Sequence, residues 1–383
     1  VSTSGGDLTP VTASDSASIF AVSYFPNDER MLYRADGNGD EIYHLFMRDL
    51  DGSVKELTPD KGARASFYGW SRDGKKFAYG SNKRNPQFMD LYEMDIDNFE
   101  SKLVYQNDEG YDVAAISYDE NMLALSKTVN TNDSDLFLYS ISDKKMTKIN
   151  EGLSGNSAQD FSLDGNSFYY TTDEGSEFSY IMKYDIATGT KEKILEKPWD
   201  VSGTYFTFNE KYRVTYINED AKNSIEVMDV ASGNNIELPN FDKASITSVG
   251  FSRDESMMRL YVGGSNSPSN LYSYNLESKE LTQLTDVLNK EIDASHLVNA
   301  KVIRYPSFDG LEIPAIYYLP HQASKDTKVP ALVWVHGGPG GQSRQNFNSL
   351  IQYMVNHGYA VLAVNNRGSS GYGKTFYQMD DLN

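Results

Sequence analysis

The chain is 383 residues long, more than one ordinary hydrophobic core accommodates, so two domains are expected. Its 54 acidic residues against 35 basic ones leave a net charge of −19, which argues against nucleic acid or an anionic membrane as a partner and favours solubility. Without cysteine it can build neither a disulfide framework nor a thiolate metal site, which suits cytoplasm, periplasm and secretion equally.

Aromatic residues make up 13% of the chain, with 27 Tyr and 29 Gly, a composition of strands joined by tight turns. No stretch approaches the roughly 18 apolar residues of a membrane span, and with Val1 in place of an initiating Met either a processed N-terminus or a fragment is expected. One pattern dominates from the start: an aromatic strand, then a polar turn centred on Asp or Asn. It reads Tyr24-Phe25-Pro26-Asn27-Asp28, Trp70-Ser71-Arg72-Asp73-Gly74, Ile116-Ser117-Tyr118-Asp119, Phe161-Ser162-Leu163-Asp164-Gly165, Phe206-Thr207-Phe208-Asn209 and Phe251-Ser252-Arg253-Asp254. The turn residues fall at 28, 73, 119, 164, 209 and 254, a step of 45 or 46 throughout. A second column, Leu45-Phe46, Leu91-Tyr92, Leu136-Phe137, Ile181-Met182, Ile225-Glu226 and Leu271-Tyr272, keeps nearly the same period. Four short strands in such a unit make a blade of a β-propeller. Helical solenoids share the period, but the alternation in Leu136-Phe137-Leu138-Tyr139-Ser140-Ile141 is that of a strand. Gly5-Gly6-Asp7-Leu8-Thr9-Pro10 repeats the end of a blade as found in Glu56-Leu57-Thr58-Pro59. Six full units and this remnant predict a seven-bladed propeller over 1–290, its first blade incomplete, in a chain that is a fragment.

After Thr285 the period lapses, and 286–297 is expected to be a connector with helical character. A hairpin, 301–308 and 311–318 about Asp309-Gly310, opens a new sheet. A strand at 331–335 runs into His336-Gly337-Gly338-Pro339-Gly340-Gly341. A helix over 347–355 follows, with Gly358 at its C-terminal end, and then a strand at 359–364 running into Asn365-Asn366-Arg367-Gly368-Ser369-Ser370-Gly371-Tyr372-Gly373. The order β-β-β-α-β begins an α/β sheet over 291–383.

These motifs together, the aromatic-Ser-x-Asp-Gly repeats, the Phe308-Asp309-Gly310 hairpin, residues 336–342 and residues 366–373, resemble those of the prolyl oligopeptidase family of serine peptidases. The His-Gly-Gly-Pro form is more similar to its acylaminoacyl-peptidase branch. The resemblance implies a propeller that gates a hydrolase site and admits short peptides. It implies an oxyanion hole in which the Gly338 N–H, on a turn that Gly337 makes possible, is one donor. It also implies that His336 and Arg367 orient loops rather than react. The family's Ser-Asp-His triad needs a G-x-S-x-G nucleophile elbow, and the sequence contains none, so the triad is expected beyond Asn383 and this chain alone is expected to be inactive. Ser369 and Ser370 lack the elbow's flanking glycines, and 367–373 lacks the Lys-Ser/Thr of a phosphate loop.

His44, His296, His321 and His357 are scattered without metal-ligand spacing, so neither metal nor other cofactor is expected. The expected partner is a short peptide substrate, with homo-oligomerisation open. The competing reading is a non-catalytic propeller that binds peptides or proteins, and residues 301–373 stand against it, because pure binding has no need of a hydrolase sheet.

Overall fold

The computed structural model describes residues 2–242, 244–338 and 340–381. By contact the chain divides into two compact units, one of Thr9–Thr128 with Ser134–Glu151, the other of Val1–Leu8, Val129–Asp133 and Gly152–Asn383.

The Thr9–Glu151 unit holds three four-stranded antiparallel meanders. They are Ile19–Tyr24, Met31–Ala35, His44–Arg48 and Val54–Glu56 (β1–β4), then Ala65–Trp70, Lys76–Ser81, Asp90–Asp95 and Ser101–Tyr105 (β5–β8), then Asp112–Ile116, Met122–Thr128, Ser134–Ser140 and Lys145–Lys148 (β9–β12). The middle strands supply the core: Leu32, Leu45, Phe77, Leu123 and Leu125 have no exposed surface. A fully buried Leu or Phe contributes about 1.5–3 kcal/mol, so a handful of these side chains holds each blade. Of the fourth strands, Val-Lys-Glu in β4 and Lys-Met-Thr-Lys in β12 are exposed throughout, whereas β8 buries Tyr105. Lysines on an outer edge discourage pairing with a foreign strand.

In the second unit three more blades follow. They are Asn156–Phe161, Ser167–Thr172, Tyr180–Asp185 and Lys191–Leu195 (β13–β16), then Asp200–Phe206, Tyr212–Glu219 and Lys222–Asp229 (β17–β19), then Ser245–Phe251, Met257–Gly264, Ser267–Asn275 and Leu281–Gln283 (β20–β23). The fifth blade has only a Met228–Asn235 bridge in place of a fourth strand. Phe161, Phe168 and Tyr170 form the best-buried aromatic ladder, with centroids 5.0 and 5.9 Å apart along it. In every blade the pairing of the first two strands shifts register once, at 21/23, 67/69, 124/125, 158/160, 201/203 and 246/248. Such bulges bend the strand and increase its twist.

The repeated turn has a local cause. Ser71 Oγ donates to Asp73 at 2.7 Å and accepts from the Lys76 amide at 2.9 Å, while the Asp73 carboxylate accepts from the Lys75 amide at 3.0 Å. Ser117, Ser162 and Ser252 repeat this with Asp119, Asp164 and Asp254. The residue after the Asp takes a left-handed backbone: φ is 71° at Gly74, 59° at Glu120, 71° at Gly165 and 58° at Glu255. The column in the sequence is therefore a column of side-chain hydrogen bonds that close the turn. Where Glu stands at the left-handed position it reaches back along the chain. Glu210 accepts from the Leu163 amide, and Glu255 from the Asn209 amide at 2.7 Å.

The N-terminal remnant behaves differently from the full units. Residues 2–10 carry no strand, and Gly5 and Gly6 sit at φ 90° and 122°. A link from Ser273 Oγ to the Thr3 carbonyl at 2.7 Å ties this stretch to the sixth blade. A strand needs a ladder partner, and this stretch pairs with none of the described strands. Val1 itself lies outside the described residues.

Beyond the last blade, 286–293 has no regular structure and a 3-10 turn covers Ala294–His296, capped by Asp293 through the Ser295 amide at 2.8 Å. Then come Lys301–Pro306 (β24), Glu312–Tyr318 (β25), Ala331–Val335 (β26), helix Ser349–Asn356 (α1), Ala360–Val364 (β27) and a short helix Lys374–Tyr377 (α2). The sheet order is β24-β25-β27-β26, antiparallel except for the parallel β26–β27 pair. The helix begins two residues later than the expected 347, because Asn348 caps it by accepting from the Leu350 and Ile351 amides, both at 3.0 Å. Gly358 takes φ 90°, as a helix C-terminus requires. Ile316, Tyr318, Ile351, Val355, Val361 and Ala363 make the core between α1 and the sheet, whereas β26 is exposed along its whole length.

Candidate active site

The motifs after β26 and β27 meet at the carboxyl ends of these two parallel strands. His336 Nδ1 lies 3.1 Å from the Gly337 carbonyl, and Nε2 lies 2.8 Å from Ser369 Oγ. Since a carbonyl only accepts, Nδ1 carries the proton and Nε2 accepts from the Ser369 hydroxyl. The imidazole thus ties the first loop to the second. Ser369 has no exposed surface, and among the described residues no carboxylate orients Nδ1, so the pair lacks what a nucleophile and base require.

Gly338 has φ 127°, and a Cβ there would stand 2.8 Å from the Gly341 amide nitrogen. Gly341 is closed off too, since a Cβ would fall 2.4 Å from the Gly337 carbonyl oxygen. Gly337 meets nothing within 4 Å, so its lack of a side chain serves openness instead of a tight fit. Pro339 lies outside the described residues. The loop is held from behind by Asn365, which is wholly buried. Its Oδ1 accepts from the Ser343 amide at 2.7 Å, and its Nδ2 donates to the Ser343 carbonyl at 3.0 Å and to Tyr372 Oη at 2.9 Å. Burial pushes the Tyr372 hydroxyl up to about 12, so it stays protonated. The Ser370 amide donates to the Gly341 carbonyl at 3.1 Å, a second tie between the loops.

Arg367 reaches away from this turn. It donates to Ser307 Oγ at 3.1 Å and pairs with Asp309 at 2.5 Å, and its guanidinium lies 5.0 Å from the centroid of the exposed Phe308 ring. The bond to Arg367 holds the Asp309 carboxyl below the usual carboxylate range. Arg367 therefore fastens the tip of the β24–β25 hairpin.

Residues that the sequence did not single out hold the second loop on blade four and the first loop on blade five. Glu177 accepts from the Thr375 amide and hydroxyl, both at 2.8 Å, and Asp173 pairs with Lys374 at 2.9 Å. Gly373 is needed beside Glu177, where a Cβ would meet the carboxylate at 2.4 Å. Asp200 stands nearby, its carboxyl raised chiefly by burial although Ser179 donates to it from amide and hydroxyl. On the first loop, Gln342 accepts from Asn218 at 2.9 Å and Arg344 donates to Asn223 at 2.6 Å. Burial lowers the Arg344 pKa from its ordinary value. Among these residues only the Lys374–Asp173 pair joins opposite charges, and single carboxylates and amides in loops give no spacing signal.

Comparison with known proteins agrees with this architecture. Residues 11–287 match the family model described as prolyl oligopeptidase, N-terminal beta-propeller domain, and 345–383 match that of the prolyl oligopeptidase family. The chain is 27% identical over 371 residues to dipeptidyl aminopeptidase BIII of Pseudoxanthomonas mexicana, covering 92% of this chain and 53% of that enzyme. It is 23% identical over 335 residues to the prolyl endopeptidase of Elizabethkingia meningoseptica, covering 83% of this chain and 45% of that one. It spans about half the length of these relatives. Among solved structures, a Mycobacterium tuberculosis puromycin-hydrolyzing peptidase superposes with a TM-score of 0.74 at 15% identity, over 94% of this chain and 60% of that one.

Proposed function

We propose, for a chain that belongs to the prolyl oligopeptidase family, that it is the propeller and opening hydrolase segment of a serine peptidase acting on short peptides. The propeller would occupy 1–290 and gate access, and the hydrolase segment would run from 291. The observation that carries the reading is the turn at Gly338. Its φ of 127° and its closeness to Gly341 admit only glycine, and a side-chain-free amide lets a scissile carbonyl approach closely. A preorganised N–H aimed at the developing oxyanion stabilises the transition state more than the ground state. His336 and Asn365 act as positioning residues, the one fixing the Gly337 peptide and the other the Ser343 peptide on either side of that amide. Arg367 positions the hairpin rim. An acylaminoacyl preference remains part of the proposal, supported by the His-Gly-Gly-Pro form of the turn. The peptidase relatives, which include a dipeptidyl aminopeptidase and a prolyl endopeptidase, support serine-peptidase chemistry in general.

The test uses a longer polypeptide that carries a Ser-Asp-His triad. It should hydrolyse peptide nitroanilides and be blocked by a fluorophosphonate. Gly338→Val should lower kcat by two or three powers of ten, the cost of an oxyanion donor, with a much smaller change in KM. Unchanged kcat in that variant overturns the assignment. The 383-residue chain should show no turnover, and turnover by it would mean that a nucleophile lies within it.

A further inference from the structure

Within the second unit, a cavity of about 750 Å³ opens beside the first loop. Its wall is polar, and Arg344, Lys222, Asn223, Ser265 and Asn299 contribute to it together with Asp242, the one acid among the described residues that line it. The volume falls within the range of small-ligand clefts.

Arg344, like Arg213 and Arg259, forms no salt bridge among the described residues. Arg30, Arg84, Arg304 and Arg367 each pair with an aspartate. Arg344 instead donates to two neutral amide oxygens, Gln342 Oε1 at 2.9 Å and Asn223 Oδ1 at 2.6 Å. Among the described residues no carboxylate forms a salt bridge with it, in a chain that holds 54 acidic side chains. A guanidinium offers five N–H donors in a planar fork that matches a carboxylate. Here Gln342 and Asn223 fix the fork from both sides without neutralising it, so the head is preorganised and its charge is unspent. Lys222, exposed on the same wall, adds a second positive charge.

We infer that this cavity is an anion subsite in which Arg344 receives the carboxylate of a short peptide. The subsite deepens the proposed function, because Arg344 follows directly on Ser343, the residue that Asn365 clamps behind the proposed oxyanion turn. A peptide whose free C-terminus rests on Arg344 would lie along the first loop, and peptides with a carboxylate within reach would be favoured over blocked ones. An aspartate or glutamate side chain offers the same chemistry as a C-terminus.

The experiment measures binding, not turnover, by calorimetry with tri- and tetrapeptides. Peptides with a free C-terminus should bind at least ten-fold more tightly than their C-terminal amides. Arg344→Gln should abolish that preference and leave affinity for the amides unchanged. Arg344→Lys should retain part of it. Because Arg344 is partly buried and its loss could disturb the loop, Lys222→Glu at the exposed wall serves as a second variant. It should weaken free-acid binding several-fold at low salt and spare the amides. An amide peptide carrying an internal Asp that binds as tightly as the free acid supports the subsite and assigns the carboxylate to a side chain. Equal affinity for acid and amide overturns the inference. Carboxylate-dependent binding by a longer polypeptide without hydrolysis would sink the proposed function and leave the subsite standing. Hydrolysis indifferent to the carboxylate would do the reverse.

Discussion

Replacing Asn365 with Leu tests whether the two loops of the candidate site behave as one body. Leucine nearly conserves the volume but removes three hydrogen bonds, to the Ser343 amide, the Ser343 carbonyl and Tyr372 Oη. Ser343 is itself buried, so its amide and carbonyl would be left without partners in a dry setting. A stranded buried polar group costs about 1–3 kcal/mol and a lost neutral bond about 1 kcal/mol, so the loops should be loosened by about 3–5 kcal/mol. Tyr372→Phe removes one of the three bonds and should cost about 1 kcal/mol. The readout is hydrogen exchange at the Ser370 amide, which donates to the Gly341 carbonyl and touches neither mutated side chain. If the loops open locally, its exchange should quicken by roughly two to four powers of ten in Asn365→Leu and less than ten-fold in Tyr372→Phe. Equal exchange in the two variants, or no change in either, would refute the claim that Asn365 clasps the loops together.

Asp200→Asn keeps the oxygen that Ser179 addresses and removes the titration. Burial raises the folded-state pKa of Asp200, so the stability it contributes is complete below the unfolded value and is lost as pH rises through the folded one. The variant should melt at nearly the wild-type temperature near pH 4 and above it at pH 8, and a difference that does not change with pH would contradict this. Glu255→Ala should cost about 1–2 kcal/mol in denaturant, since a charge-assisted bond to the Asn209 amide is lost. Glu255→Gln should recover at least half of that, and parity between the two variants would show that the bond contributes nothing. Arg367→Ala should speed amide exchange across 307–311 while leaving the melting temperature almost unchanged, and a large fall in melting temperature would give Arg367 a wider structural role.

The repeat was legible because its cause is local. A Ser two residues before an Asp closes a turn through its own neighbours, so the geometry is written within six residues and recurs in the second, third, fourth and sixth units. The hydrolase strands were legible for a similar reason, as apolar runs between turn signals. The sequence could not show that residues 2–10 would lack a strand, since that depends on a ladder partner and not on propensity. Nor could it show Asn365, Glu177 or Arg344. Asn365 became significant only when β26 and β27 paired and set Ser343 against it, and Glu177 lies almost 200 residues from the amide it receives. His336 stood out through its motif, yet its partner Ser369 was visible only in three dimensions.

The glutamates at the left-handed turn positions all point one way. Glu210 serves an amide 47 residues earlier and Glu255 one 46 residues earlier. During synthesis, at about 5–20 residues per second, each turn therefore emerges several seconds before the carboxylate that completes it. Blades four and five gain this last latch only after the turn of the next blade has been made. Both turns close locally through Ser162 and Thr207, and a ribosome that stopped after blade five would leave that blade without the Glu255 latch.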